Sequence, residues 1–328
     1  VITLVTIEVE SPGDLGRVIR GQDGSITSIV EHDAAGEVEL AVNEINGGVY
    51  CFRAQWLWPH LDELSLAVNG ELRLTDLVAM AVTEDERVES VRPQEPEEFQ
   101  GVNDRVQLAS AEASLRDRIR HDCMMSGVTM PDPASVFIDA QVEIGQDSVV
   151  MPNTHVKGVS KIGRDCTLGP NTVVDDSTIG DGSSVFASVV RGSILDSGVA
   201  VGPFSHVRAG SRLASGVRIG SHAEIKSSRL GQGTKSSHFS YIGDADVGAN
   251  VNIGAGTVTC NYDGTAKHRT TIGDGAFIGS DSMLVAPITV GRGAATGAGS
   301  VVTKDVPADA LVVGAPAREI GKAKRTNK

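Results

Sequence analysis

The window from His238 to Gly264 reads HFSYIGDADVGANVNIGAGTVTCNYDG. It gathers His238, Tyr241, Asn252, Asn261 and Tyr262 in a chain with only 8 His, 3 Tyr and 2 Trp. Imidazole is the side chain best suited to take a proton near neutral pH, which makes His238 a candidate general base. A lone His in a plain backbone is more often structural or merely exposed, so its neighbours matter. Phenols and carboxamides both donate and accept hydrogen bonds, so the Tyr and Asn residues suit a polyhydroxylated ligand. Cys260 offers a rival nucleophile, although a Cys flanked by strand residues is usually inert packing. Upstream, Arg208 and Lys226 each follow an aliphatic, Val207 and Ile225.

Positioning these groups requires a scaffold, and length allows two domains in 328 residues. A formal net charge of -13 argues against a nucleic-acid surface or an anionic membrane as partner, since either needs an extended basic face. Cys51, Cys123, Cys166 and Cys260 lack zinc or disulfide spacing, which fits a reducing cytoplasm. The opening VITLVTIEVE alternates like a strand rather than forming a signal peptide or a membrane span, and the expectation is that the chain starts inside a domain.

Residues 1–102 mix short β-type runs (Ile2 to Val9, Ser25 to Val30, Gly48 to Arg53) with a helical pattern at Leu74 to Val82, an α/β fragment. Residues 103–130 read as a linker helix, with Asn103 or Asp104 as cap and Gly127 as stop. From 131 to 328 the text repeats: Val201, Val207, Leu213, Ile219 and Ile225 fall six apart, within units such as IGSHAE and IGDGAF. One buried aliphatic per hexapeptide, with Gly or Asn at corners, needs short strands stacked as a solenoid. The stretch between Ile253 and Ile272 implies a loop thrown out around CNYDGTAKHRT.

If three hexapeptides make a coil, Arg208 and Lys226, three hexapeptides apart, stack on one face, each following an inward aliphatic. Two stacked cations repel unless an anion lies between them, and a sugar phosphate would supply it. The same spacing also fits two solvated surface residues.

The repeated [LIV]-G-x-x-[ST]-x motif resembles the hexapeptide acyltransferases, which implies a left-handed parallel β-helix. The longer stretches SHFSYIGDADVGANVNIGAGTVTCNYDG, VGPFSHVRAGSRL, GRVIR, VEHD, NEINGGVY and QGVNDRVQL are similar to the bifunctional bacterial glucosamine-1-phosphate acetyltransferase / N-acetylglucosamine-1-phosphate uridyltransferase family, over essentially the whole chain. The resemblance implies that Arg208, Lys226, Tyr241 and Asn252 hold glucosamine-1-phosphate and that His238 is the base. It assigns acetyl-CoA to Ala255, Asn261, Tyr262, Ser280 and Ala298. Where the family has a basic residue near the coenzyme this chain has Ala315, so Arg318 or the Lys322 to Lys328 tail is the substitute, unless the terminus is only a solubilising end. The family is a homotrimer with sites between adjacent prisms.

For the uridyltransferase half the resemblance implies Gly16, Glu31, Asn46 and Gly101 at a UDP-sugar site, with Asn103 also helping to hold magnesium. The Gly-rich nucleotide loop and the Asp sharing that metal would lie before Val1. The chain as given is therefore expected not to make UDP-N-acetylglucosamine from UTP, whereas the full-length parent does so for peptidoglycan and lipopolysaccharide precursors. The α/β half is also expected to be unstable, with strand surface of a parallel sheet uncovered. Three other readings remain: a sugar nucleotidyltransferase with a purely structural β-helix, a non-catalytic hexapeptide scaffold, and a metal enzyme using His206, His222 and His238. Those three His are evenly spaced at slightly less than three hexapeptides, so they should drift around the prism.

Overall fold

The computed structural model describes residues 1–67, 69–99 and 101–323. They divide into a unit of Val1–Ser114 and a unit of Leu115–Lys328, with the helix Arg105–Met125 running across the division. Asp104 caps that helix, its Oδ1 accepting from the Gln107 N–H at 2.8 Å. Gly127, at φ +97°, ends it in the left-handed conformation glycine adopts freely.

In the first unit five strands lie in the order Ile26–Val30, Arg17–Arg20, Glu44–Phe52, Ile2–Glu8, Val88–Val91. Only Ile2–Glu8 and Val88–Val91 pair in parallel; the other neighbours are antiparallel. The sheet is therefore mixed where the sequence suggested a parallel one. The reason is local: the turn at Gly21–Ser25, with Gly24 at φ +83°, is too short for a crossover and forces a hairpin. The helix Asp76–Thr83 seals one side, with Leu77, Val78 and Ala81 fully buried against Ile2, Leu4, Val18, Ile26 and Ile29.

The second unit is a three-sided parallel β-helix. The first face runs from Glu143–Ile144 to Ile288–Val290, the second from Val149–Val150 to Ala317–Lys322, and the third from Phe137–Ile138 to Val301–Val302. Most of the short strands send an aliphatic inward, such as Val207, Ile225, Ile242 and Leu284, all at 0% exposure, and burial of each contributes about 1.5–3 kcal/mol; Ser236, Thr259 and Thr296 take that place in three of them. The Ser or Thr of the repeat is buried too. Ser228 Oγ donates to the Ile242 carbonyl at 3.1 Å and accepts from the Ala245 N–H at 2.9 Å, so a corner hydroxyl satisfies backbone groups that the turn leaves open.

Coil length varies. Third-face strands start at Phe137, His155, Val173, Val189, His206, Glu224, Tyr241, Val258, Met283 and Val301, and the step from Val258 to Met283 is much the longest. Arg208 and Lys226 do span a coil of three full hexapeptides, but several coils are shorter, because a corner can lose a residue without disturbing a strand. The long step holds the excursion around 261–269, as the sequence implied.

Candidate functional site

Val207 pairs with Ile225 across one coil, so Arg208 and Lys226 stack outward on the third face. Both have protein partners as well. Arg208 Nη1 reaches Glu224 Oε1 at 2.7 Å and Lys226 Nζ reaches Asp244 Oδ2 at 2.9 Å. The stacked cations are thus balanced by carboxylates on the neighbouring strand and corner, which repulsion between the cations alone does not reveal. Arg208 is 46% exposed, whereas Lys226 is only 14% exposed.

The next position in this column is Gly243. A Cβ there would lie 2.5 Å from the Tyr241 hydroxyl, so the Tyr241 ring folds over the gap that glycine leaves. Asn261 Nδ2 lies 3.5 Å from the Tyr241 hydroxyl and 2.5 Å from Asp244 Oδ2. Asp244 sits at the corner between the third and first faces with φ +50°, a conformation Asp tolerates. Its carboxylate joins Lys226 to Asn261. Burial works to raise the Asp244 carboxyl, but the hydrogen bonds from Lys226 and Asn261 outweigh it and hold it below its ordinary value. The same bond to Asp244 pushes Lys226 upward.

Lys267 joins them from the excursion. Its nearness to Lys226 pushes the Lys267 ammonium down, and Arg208 adds to the effect. Crowded cations of this kind favour an anion between them. The excursion is an ordered hairpin: Tyr262 and Lys267 form an antiparallel bridge, and the His268 N–H donates to the Asn261 carbonyl at 2.8 Å. Asp263 Oδ1 accepts from the Thr265 and Ala266 N–H groups, each at 2.8 Å, and Oδ2 meets His268 Nε2 at 2.7 Å. These bonds, the Ala266 N–H first, hold the Asp263 carboxyl well below the usual carboxylate range. Tyr262 is exposed, its hydroxyl donating to the Gly264 carbonyl at 2.6 Å.

His238 stands at the opposite edge of the third face. It ends the second-face strand Lys235–His238, and the registers Ser236↔Ile253, Ile253↔Ile278 and Phe277↔Ala295 place His238, Ala255, Ser280 and Ala298 in one column along that edge. Four rungs at about 4.8 Å per coil span roughly 14 Å. The preceding column contains Gly254, Gly279 and Gly297, where an added Cβ at Gly254 would lie 2.5 Å from the Ser280 nitrogen. The edge is therefore backbone-lined and smooth, suited to an extended ligand. Gly314 extends the column of His238 and Ala298, followed by Ala315 in the turn to the strand Ala317–Lys322. Arg318 lies on that strand beside Val313, exposed, and donates to the Ala317 carbonyl at 3.0 Å. Of the basic tail, residues 324–328 lie outside the described residues.

The predicted residues therefore form two groups in one chain. Arg208, Lys226, Tyr241 and Asn261 meet at one edge of the third face, and His238, Ala255, Ser280 and Ala298 line the other. Asn252 belongs to neither, since it sits on the second face, ahead of its edge. Cys260 follows Gly243 in the third-face column, and burial raises its thiol above the ordinary value. His206, His222 and His238 occupy a third-face strand, a corner and a second-face strand end. Among the described residues no group of three His, Cys, Asp or Glu is arranged to hold a metal ion. Sequence reasoning missed Glu224, Asp244 and Lys267. The KHR run inside the excursion was the available signal for Lys267.

A family model described as bacterial transferase hexapeptide (six repeats) matches residues 141–176 and 269–304. The bifunctional protein GlmU of Geobacillus sp. (strain WCH70) is 46% identical over 321 residues, covering 98% of this chain and 70% of that protein. This chain belongs to the GlmU family. GlmU of Fervidobacterium nodosum is similar to the same extent, 47% identical over 322 residues, with the same two shares of 98% and 70%. Among solved structures, an Arabidopsis UDP-N-acetylglucosamine acyltransferase matches with a TM-score of 0.51 at 18% identity, covering 57% of this chain and 73% of that one. That likeness is one of fold. With GlmU membership and the hexapeptide match, the coil is the left-handed parallel β-helix expected from the repeat.

The GlmU relatives are bifunctional by name, and the first unit carries its own cavity. A space of about 530 Å³ is lined by Glu31, Asn46, Tyr50, Arg73 and Thr75 among others. Gly16 lies beneath it: the Asn46 N–H donates to the Gly16 carbonyl at 2.9 Å, and a Cβ on Gly16 would lie 3.0 Å from Glu31 Oε2. Thr75 Oγ1 donates to Glu31 Oε1 at 2.9 Å, and burial pushes the Tyr50 phenol up to about 12. Gly101 lines a different cavity, with Ile7, Leu15 and Phe99. Asn103 is exposed, its N–H donating to Gln107 Oε1 at 2.5 Å. It offers one side-chain oxygen with no carboxylate cluster beside it among the described residues, too little for an octahedral magnesium ion. No step through that metal follows from this arrangement.

Proposed function

We infer that this chain transfers acetyl from acetyl-CoA to the C2 amine of glucosamine-1-phosphate, giving N-acetylglucosamine-1-phosphate. The observation that carries this reading is the stacking of Arg208 and Lys226 beside the Tyr241 ring on one edge of a GlmU β-helix, with Lys267 of the excursion close enough for their charge to push its ammonium down. Three cations beside a phenol and the Asn261 amide match a phosphate attached to a hydroxyl-rich ring. The opposite edge, from His238 to Ala298, suits the thin extended arm of acetyl-CoA, with Arg318 near its upper end for the coenzyme phosphates. Because the two edges face apart in one chain and Asn252 lies on another face, the working form is a homotrimer in which a neighbouring copy completes each pocket.

In the reaction the amine must lose a proton to attack the thioester, and His238 takes it. Backbone N–H groups of the His238 edge, or the Asn261 amide of a neighbouring copy, meet the oxyanion of the tetrahedral intermediate, whose collapse breaks the C–S bond and releases CoA as the thiolate. Direct attack is favoured over an acetyl-cysteine route, because the raised Cys260 thiol is a poor source of thiolate. In the bifunctional parent the product is joined to the uridyl group of UTP, and Gly16, Glu31 and Asn46 are the groups of the first unit placed to hold the resulting UDP-sugar. Steady-state kinetics of His238→Ala test the assignment. The expected loss is roughly 10² to 10⁴ in kcat with KM for the sugar little changed, whereas near-normal turnover would remove His238 as the base.

A further inference from the structure

The column holding Arg208 and Lys226 continues one coil below. Val190 pairs with Val207, which sets Arg191 beside Arg208, so Arg191, Arg208 and Lys226 climb the third face at successive steps of about 4.8 Å. The sugar-phosphate reading uses the upper two and leaves Arg191 unassigned. Arg191 is 56% exposed, and its Nε lies 3.7 Å from Asp175 Oδ2, beyond hydrogen-bond distance. His206, two residues before Arg208 on the same coil, pairs with Val189 of the coil below. Its Nε2 is buried and has no hydrogen-bond partner, an uncommon state for a polar atom. Burial holds the imidazole below its ordinary value, the charges of Arg208 and Arg191 add to that, and Glu224 alone opposes.

We propose that Arg191 and Arg208 form a second anion position, and that the whole column binds a diphosphate group. One phosphoryl lies between Arg208 and Lys226 and the other between Arg191 and Arg208, whose five N–H donors are enough to serve both. His206, with its Nε2 enclosed by protein, backs this position without reaching the anion. Four cations, Lys267 included, face the three carboxylates Asp175, Glu224 and Asp244 along this strip, so it is net positive on a chain of -13. A diphosphate there excludes the sugar phosphate and competes with it, while a single phosphate gains nothing from Arg191. The proposal rests on the sugar-phosphate reading only through the shared Arg208 and Lys226.

The test compares inorganic pyrophosphate with inorganic phosphate in metal-free buffer, using titration calorimetry without acetyl-CoA and inhibition of acetyl transfer. In the wild-type chain pyrophosphate binds more tightly than phosphate and competes with glucosamine-1-phosphate. Arg191→Ser weakens pyrophosphate about tenfold, the scale of one charge-assisted hydrogen bond, and leaves phosphate binding and kcat unchanged; Arg191→Lys recovers part of the loss. An equal effect of Arg191→Ser on both anions, or none on pyrophosphate, overturns the proposal. Calorimetry reads the difference between the anions even if no acetyl transfer occurs, so failure of the subsite is separable from failure of the proposed reaction.

Discussion

Replacing Asp244 by Asn keeps the shape of the side chain and removes the charge that Lys226 and Asn261 share. The two partners of the ion pair are 14% and 16% exposed. That lies between an open surface pair, worth about 0–1 kcal/mol, and a fully buried one, whose breaking costs about 3–5 kcal/mol. A loss of about 2 kcal/mol is therefore expected, and at roughly 2–4 °C per kcal/mol the midpoint of the β-helix falls by about 4–8 °C at pH 7. The pH dependence has a definite sign. Asp244 is held below its ordinary 3.8, so its contribution is complete above that value and is lost as pH falls through the folded-state value beneath it. Lys226 is raised above 10.5, so its share is complete below that pH and is lost as pH rises through the higher folded-state value. Thermal melts of wild type and Asp244→Asn at several pH values should show a constant gap in the neutral range that closes at both extremes. Coincident melting at pH 7, or a gap undiminished well to the acid side of 3.8, would refute the reasoning.

Two further substitutions separate placement from chemistry. Lys267→Ala removes one of three cations and should raise KM for glucosamine-1-phosphate roughly ten- to hundredfold, the range of a hydrogen bond to a charged group, with kcat changing less; initial-rate kinetics that showed a loss in kcat alone would place Lys267 elsewhere. Gly243→Ala puts a methyl where the Tyr241 ring lies, 2.5 Å from its hydroxyl, so the ring must swing out; KM for the sugar should rise about two- to tenfold with a melting temperature near wild type, as checked by kinetics and melts on the same sample.

The column from Arg208 to Lys226 was legible because Val207 and Ile225 mark the inward positions and the coil between them happens to hold three full hexapeptides. The face that carries Asn252 was not, because its role came from the resemblance alone and coils that drop a residue at a corner give no fixed count from which to place it. The length of the excursion could be read, but its fold back onto Lys226 could not, since that depends on Asp263 and His268 closing a hairpin. Nor could the carboxylates Glu224 and Asp244 be read as partners, because each reaches its cation only from a neighbouring strand or corner. In the first unit the strands were visible as β-type runs, while the antiparallel pairing followed from a turn whose brevity carried no weight in that reading. The repeat itself, with an aliphatic in most short strands and a hydroxyl at many corners, is local information, and for that reason the solenoid was the clearest part of the sequence.

Acetyl transfer to a phosphorylated amino sugar is tested most directly by release of free CoA from acetyl-CoA, with glucosamine-1-phosphate set against glucosamine lacking the phosphate. Turnover by this chain confined to the phosphorylated sugar is the predicted result and would place its phosphate at Arg208, Lys226 and Lys267. Equal rates with both sugars would contradict that anion site, and no CoA release from folded trimer would contradict the reaction and favour a scaffold.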